Sequence, residues 1–409
     1  MSDDVPRRPL IVQKFGGTSV ADADSRALVR ARVRARIEDG ADVIVVVSAM
    51  GRAGDPYATD TLLGLVDTVT PDARESDLLA SCGEVISAVV LAHELRADGV
   101  RAYAMTGREA GVLTDGEFGD AAVLAVDPAR LRDALGRGLV PVVTGFQGVS
   151  ASGETTTLGR GGSDTTACAI GAAMGADAVE IHTDVAGVMS ADPRTCTGVR
   201  VLDSLQYEEL FQMALSGAKI MHAPAAEIAM AAGVPVRVLN TDGSSAGTLV
   251  TGAAGLSDVR DRVATAVSHV EGVTRFVVTL PAGAGRAAGV TAVFRSMADE
   301  AVSLDMFTPL DGSLAFSSDA VSADHASRIL GDLGLPFTRR DNLAKVTLVG
   351  AGMHGVPGVM ARIAEALSAD DIEILQSADS HYTISVLVPE AQAAQAVGAL
   401  HSAFGLGVE

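Results

Sequence analysis

The feature that most limits the fold is Val43-Ile44-Val45-Val46-Val47, five β-branched residues with no polar interruption. Such side chains are stiff and favour extended backbone. An unbroken apolar run of this length suits a strand covered on both faces, as in a parallel sheet. It sits in a strand expected over Asp42–Met50. Leu10–Phe15, Val140–Phe146, Ala178–Thr183, Pro235–Leu239 and Thr248–Thr251 also read as strands. Asp22–Glu38, Glu75–Ala97, Asp164–Gly175, Ser204–Leu215 and Pro224–Ala232 read as helices. Alternation of this kind predicts an α/β domain, an αβα sandwich around a mainly parallel central sheet.

The texture changes near residues 252–264, where Gly-Ala-Ala-Gly precedes a charged stretch. Beyond it two similar rounds follow. Thr274–Leu280, Gly289–Ala301 and Ser303–Phe307 read as strand, helix, strand. Lys345–Gly350, Gly355–Ser368 and Ile372–Leu375 repeat that order. A duplicated α+β unit of βαββαβ type is the economical reading. With 409 residues, two or three domains are expected. The expected limits are 1–255, 263–340 and 341–409, with the last two free to interleave.

The formal net charge of −20 argues against a nucleic-acid surface, because an acidic face repels a polyanion. The three cysteines, Cys82, Cys168 and Cys196, have neither metal-ligand spacing nor the look of a disulfide framework. The N-terminal residues lack a signal-peptide apolar stretch, and no apolar run reaches the ~20 residues of a membrane span. A cytoplasmic protein with no membrane partner is the expectation.

Four segments carry chemistry. Lys14-Phe15-Gly16-Gly17-Thr18-Ser19 ends the first strand. Glycines there let backbone N–H groups approach an anion, the following helix turns its N-terminus to the same spot, and the lysine can bridge phosphate oxygens. A surface lysine beside an ordinary strand-to-helix turn explains the run equally well, and it is not a Walker A motif. Thr155–Thr166 contains Leu158-Gly159-Arg160-Gly161-Gly162-Ser163-Asp164. Arg160 can grip a carboxylate with two parallel hydrogen bonds, and Asp164 can cap a helix. A cap alone does not require the arginine and both glycines. Thr183-Asp184 through Asp192-Pro193-Arg194 follows a strand, as a nucleotide-edge loop does, or as any Asp-Pro turn does. Glu84 can bind an ammonium group, although a lone glutamate is more often a solvated surface residue.

Taken together, these runs resemble the aspartate kinase family in order and spacing. Val47-Ser48-Ala49-Met50-Gly51, Gly145-Phe146-Gln147-Gly148, Gly217-Ala218-Lys219 and Gln376-Ser377-Ala378-Asp379-Ser380 extend the match over almost the whole chain. The residues 51–60 and 375–381 are most similar to the Bacillus-type members. The resemblance implies an amino-acid-kinase domain followed by two ACT domains. It implies ATP and Mg2+, with the metal bridging phosphates, and phosphoryl transfer to the β-carboxylate of L-aspartate. By this resemblance Lys14 neutralises phosphate charge and Asp164 orients it. Phe15, Gly16, Gly17, Gly161 and Gly162 hold the nucleotide. Thr183, Asp184, Arg194 and Lys219 match ATP-side positions. Ser48, Thr59 and Ser163 line the substrate pocket, while Glu84 takes the substrate ammonium and Arg160 its α-carboxylate. No residue is assigned as a metal ligand. Asp305, Val356, Pro357, Gly358, Val359 and Gln376 match effector positions, for lysine or diaminopimelate, with threonine as a third choice. A homodimer through the ACT domains and a place in lysine, threonine and diaminopimelate biosynthesis complete the expectation.

Three runs depart from the family pattern. Ile220-Met221-His222-Ala223-Pro224 lacks an arginine, Val238-Leu239-Asn240-Thr241-Asp242 lacks another basic residue, and Gly285-Arg286-Ala287-Ala288-Gly289 replaces a Pro-Gly turn. A kinase of the same fold acting on another carboxylate, and a non-catalytic amino-acid sensor, are the competing readings. Retention of Lys14, Arg160 and Asp164 weighs against the sensor.

Overall fold

Strands β1 (Leu10–Phe15) and β2 (Asp42–Val47) lie side by side near the middle of an eight-stranded sheet. The computed structural model describes residues 7–66, 72–218, 220–252, 263–283, 285–353 and 355–407. These form two compact units. The first holds residues 7–188, 201–214 and 220–252, and the second holds 189–200, 215–218 and the described residues from 263 onward.

The remaining strands of the first unit are β3 (Ala102–Met105), β4 (Val112–Thr114), β5 (Val123–Val126), β6 (Val140–Thr144), β7 (Gln147–Ser150), β8 (Thr155–Thr157), β9 (Ala178–Thr183), β10 (Ser204–Gln206), β11 (Val236–Asn240) and β12 (Thr248–Thr251). The main sheet runs β10-β12-β11-β9-β1-β2-β6-β3, and only the β11–β12 pairing is antiparallel. A second, four-stranded sheet runs β5-β4-β7-β8. The helices are α1 (Ala23–Glu38), α2 (Thr59–Leu63), α3 (Ala73–Ala97), α4 (Ala129–Gly136), α5 (Gly162–Met174), α6 (Tyr207–Leu215) and α7 (Ala223–Ala232).

Side chains alternate across a strand, and this period sorts the central strands. Phe15, Val43, Val45 and Val47 pack with Val29 and Val33 of α1 and Leu91 and Leu95 of α3. Each such buried side chain contributes about 1.5–3 kcal/mol over exposure. Lys14, one residue out of phase with Phe15, meets α5 instead. Parallel register then aligns the strand ends: Phe15 pairs with Val47 and with His182, and Val47 with Thr144. The loops after β1, β2, β6 and β9 therefore emerge at one carboxyl edge, where open α/β sheets bind ligands.

Residues 204–215 are not one helix. Ser204–Gln206 pairs with β12, and the Gln206 N–H donates to Glu209 Oε2 at 2.9 Å, so the helix starts at Tyr207. One described helix, α3, is long and apolar enough by length and composition to cross a membrane, so the sequence expectation of none was too strict. Half of that apolar stretch is buried in this fold, and α3 carries the buried carboxylates Asp77 and Glu84.

The second unit contains β13 (Ala266–Thr279), α8 (Gly285–Asp299), β14 (Asp305–Leu310), β15 (Ser313–Asp319), α9 (Ala323–Asp332), β16 (Phe337–Val349), α10 (Val359–Ala369), β17 (Gln376–Asp379), β18 (Thr383–Pro389) and α11 (Ala393–Ala403). All strands join one antiparallel sheet, β14-β15-β13-β16-β18-β17. The long strands β13 and β16 each serve two cores. Phe276, Phe316, Val293 and Leu330 form one with α8 and α9, and Val267, Leu348, Ile363 and Leu400 form the other with α10 and α11. A register shift between Val270 and Val273 marks the change. The strand expected at Ile372–Leu375 begins later, at Gln376. Ile372 is buried and its N–H bonds to Leu367 O at 2.9 Å, so it closes α10. Within this unit Ser190 Oγ bonds His401 Nε2 at 2.9 Å, and Ala191 and Cys196 join the core.

Candidate active site

The carboxyl edge of the first unit's sheet opens into a cavity of about 490 Å³. Lys14, Gly17, Ser48, Thr59, Glu84, Arg160, Gly161, Gly162, Ser163 and Asp164 all line it. So do Ala49, Gly51, Arg52, Asp60 and Phe146, which the sequence reading did not single out as site residues.

Lys14 Nζ lies 2.7 Å from Asp164 Oδ1, with both side chains nearly buried. Asp164 stands in the first turn of α5, whose N-cap is Gly161 at φ +72°. A Cβ at Gly161 would fall 2.3 Å from His222 Cβ, so only glycine fits. Gly17 is constrained by space: a Cβ there would lie 2.6 Å from Gly51 O. The segment after it differs from expectation. A short 3₁₀ turn, Gly17–Val20, follows Gly16, and the first turn of α1 is capped by Asp22, which accepts from the Ser25 N–H.

Glu84 is buried, contrary to the solvated position usual for a lone glutamate. Gly83 allows this, because a Cβ there would strike Ala49 Cβ at 2.7 Å. Glu84 Oε1 accepts from the Ala49 N–H at 2.9 Å, while Oε2 has no hydrogen-bond partner among the described residues. Burial drives its pKa up to about 8, against the smaller opposing effect of the Ala49 bond. Ser48 Oγ donates to Ser163 Oγ at 2.9 Å, tying the β2 loop to α5. Arg160 is exposed and enters no ion pair among the described residues. Buried Asp77 of α3 holds the loop that carries it, accepting from Thr157 N (2.7 Å), Thr157 Oγ1 (2.8 Å) and Gly119 N (3.0 Å).

Models of two families match the chain: the amino acid kinase family over residues 9–240 and the ACT domain over 338–402. Over 402 residues it is 47% identical to aspartokinase 1 of Bacillus subtilis, covering 97% of this chain and 99% of that protein. The chain belongs to the aspartokinase family. It is 41% identical over 414 residues to an aspartokinase of Mycobacterium tuberculosis, covering 97% of this chain and 96% of that protein. Among solved structures, E. coli aspartokinase III in complex with aspartate and ADP (R-state) superposes with a TM-score of 0.81 at 26% identity, covering 96% of this chain and 99% of that one. The lysine and aspartate complex of the same enzyme (T-state) gives 0.75 at 26% identity, with the same coverage.

The other positions expected from the aspartokinase resemblance fall in several places. Phe15 is buried with its ring stacked on His182 at 4.6 Å and does not line the cavity. Gly16 caps the 3₁₀ turn. Thr183 ends β9, next to β1, and Asp184 follows it and pairs with Arg52 at 2.8 Å. Arg194 belongs to the second unit, where it grips Asp192 at 2.6 Å. Lys219 lies outside the described residues.

The expected effector residues split into two groups. Asp305 pairs with Lys345, and Gln376 donates to Met306 O and accepts from Arg275 Nε at 3.0 Å, around a left-handed Met306 at φ +48°. Exposed Val356 and Pro357 lead into Gly358, the left-handed N-cap of α10, and Val359 is buried in the α10–α11 core.

Proposed function

We propose that the first unit transfers the γ-phosphoryl group of ATP to the β-carboxylate of L-aspartate, giving ADP and 4-phospho-L-aspartate. One observation carries the reading. Glu84 Oε2, a buried carboxylate oxygen, and the Arg160 guanidinium, both without a partner among the described residues, line the same cavity as Lys14. Glu84 takes the ammonium and Arg160 the α-carboxylate, which leaves the β-carboxylate to face the phosphate.

A β-carboxylate is already a nucleophile at neutral pH, so no strong general base is needed. Its oxygen attacks the γ-phosphorus as the bond to the β–γ bridging oxygen breaks. The obstacle is repulsion between two anions, and fixed cations and backbone dipoles lower it. Lys14, oriented by Asp164, faces the phosphates beside the Gly16-Gly17 turn. Gly161 and Gly162 present the start of α5, and Ser48, Thr59 and Ser163 position the substrate. Thr183 and Asp184 serve the nucleotide. Among the described residues no group of three or more His, Cys, Asp or Glu forms a metal cage. Mg2+ would enter with the nucleotide's phosphates and would supply further charge neutralisation.

The catalytic domain spans 1–255 and the ACT domains 263–340 and 341–409, interleaved through the shared strands β13 and β16. Lysine or diaminopimelate, and after them threonine, are the effectors proposed for the second unit. The enzyme is a cytoplasmic homodimer paired through that unit and opens lysine, threonine and diaminopimelate biosynthesis. A hydroxamate assay with ATP, Mg2+ and aspartate tests the activity, with glutamate as control. The extra methylene of glutamate costs about 1–3 kcal/mol, so comparable rates with both substrates reject the aspartate assignment.

A further inference from the structure

The cavity wall carries three cations, Lys14, Arg52 and Arg160. Lys14 is matched by Asp164 at 2.7 Å, and Arg160 is the residue assigned above to the α-carboxylate. Arg52 is the cation that the mechanism leaves unused. Its guanidinium meets Asp184 at 2.8 Å in a bridge whose side chains are 71% and 56% exposed. Ion pairs this open are weakly held and easily exchanged. A phosphate offers the same guanidinium more charge and a two-point grip.

The backbone fixes where Arg52 stands. The Gly51 N–H donates to Gly17 O at 3.0 Å, joining this turn to the Gly16-Gly17 turn. The Arg52 N–H donates to Asp55 Oδ2 at 2.8 Å, and Gly51 adopts φ +88° with Asp55 packed where a Cβ would lie. The arginine thus projects from a locked turn beside the residues proposed to face phosphate, and its partner directly follows β9, the strand next to β1.

We propose that Arg52 is a γ-phosphate-binding residue, held on Asp184 until nucleotide enters and then passed to the phosphate. This rests on the reading of the cavity as an ATP:aspartate site. Three full-length proteins test it: wild type, Arg52→Ala and Arg52→Lys. ATP and ADP affinities are measured by titration calorimetry and turnover by the hydroxamate assay. Arg52→Ala is expected to weaken ATP ten- to hundredfold and ADP less than threefold. It raises KM for ATP and leaves KM for aspartate within twofold, and Arg52→Lys recovers part of the loss. Equal losses for ATP and ADP, unchanged ATP affinity, or a change confined to aspartate would overturn the assignment. Wild type that forms no aspartyl hydroxamate refutes the underlying reading instead. Matching thermal midpoints for the three proteins separate a binding loss from a folding loss.

Discussion

With Glu84 as the proposed ammonium partner, aspartate binding is expected to depend on pH. Burial raises its carboxyl from 4.5 to about 8. A carboxyl with this pKa is largely neutral at pH 7 in the ligand-free protein, while an ammonium partner needs the anion. Binding to the neutral form must expel a proton, and affinity follows the ionised fraction. That fraction is about 1% at pH 6 and about 50% at pH 8, so KM for aspartate should fall about 50-fold between them. Titration calorimetry at pH 7 in buffers of different ionisation enthalpy should show about 0.9 proton released per aspartate. The same group affects stability. Its folded pKa is raised, so its contribution is intact below 4.5 and is lost as pH climbs through about 8. The full loss is of order 5 kcal/mol, an upper bound for a buried acid. Glu84→Gln keeps an acceptor for the Ala49 N–H and removes the charge. It should stabilise the ligand-free protein at pH 8 and weaken aspartate by about 1.5–3 kcal/mol, the worth of a hydrogen bond to a charged group. A KM for aspartate that stays flat from pH 6 to 8, or unchanged aspartate affinity in Glu84→Gln, refutes the reasoning.

Lys14→Ala should cut turnover by about 10²–10³-fold, the usual loss of one transition-state charge partner, with aspartate affinity changed far less; a near-normal kcat rejects its role. Asp77→Ala strands the Thr157 and Gly119 N–H groups, so chemical denaturation should report a loss of about 2–4 kcal/mol, and an unchanged midpoint contradicts the loop-holding account. Gly161→Ala places a Cβ against His222 at a left-handed position and should cost about 1–3 kcal/mol or more, together with a higher KM for aspartate. In the second unit, burial and then the charge of Arg200 hold His401 below its ordinary 6.5. Its stabilisation is complete above 6.5 and falls away as pH drops through the lower folded value. His401→Gln should therefore flatten the acid side of the stability profile, and an unaltered acid slope argues against this.

The sheet was legible because its signal is local. Val43–Val47 has only one sensible environment, and β2 with both faces covered is what it forms. Short strands such as β3, β7 and β8 were not legible, since three or four residues carry no period. The β13–β16 pairing was legible only in halves. Only Thr274–Leu280 and Lys345–Gly350 read as strands, because a bulge near Gly272 breaks the alternation, while the backbone continues through it to give β13 and β16 their full lengths. Apolar content misled at Ile372, where burial serves a helix end and not a strand.

The cavity residues divide along the same line. Lys14, Gly17, Arg160 and Asp164 sit in runs whose composition betrays them. Glu84 does not, because a glutamate in a helix looks solvated until Gly83 lets α3 approach the β2 loop. Arg52 and Asp184 are 132 residues apart, and Asp77 and Thr157 are 80 apart. No local pattern joins such pairs; parallel register brings the first together, and the packing of α3 on β8 the second. β1 lies between β2 and β9, so the ends Phe15, Val47 and His182 are level. The loops after those ends then need no search to meet. A one-residue slip of β1 would turn Lys14 to the α1 face and Phe15 to α5, exchanging a buried ring for a buried charge. The hydrophobic core of the first unit thus enforces the register on which its charges depend. A polar substitution at Val45, which is buried in the core and does not line the cavity, should therefore reduce turnover and stability together. Loss of stability with fully retained turnover per folded molecule would show that the site does not need this register.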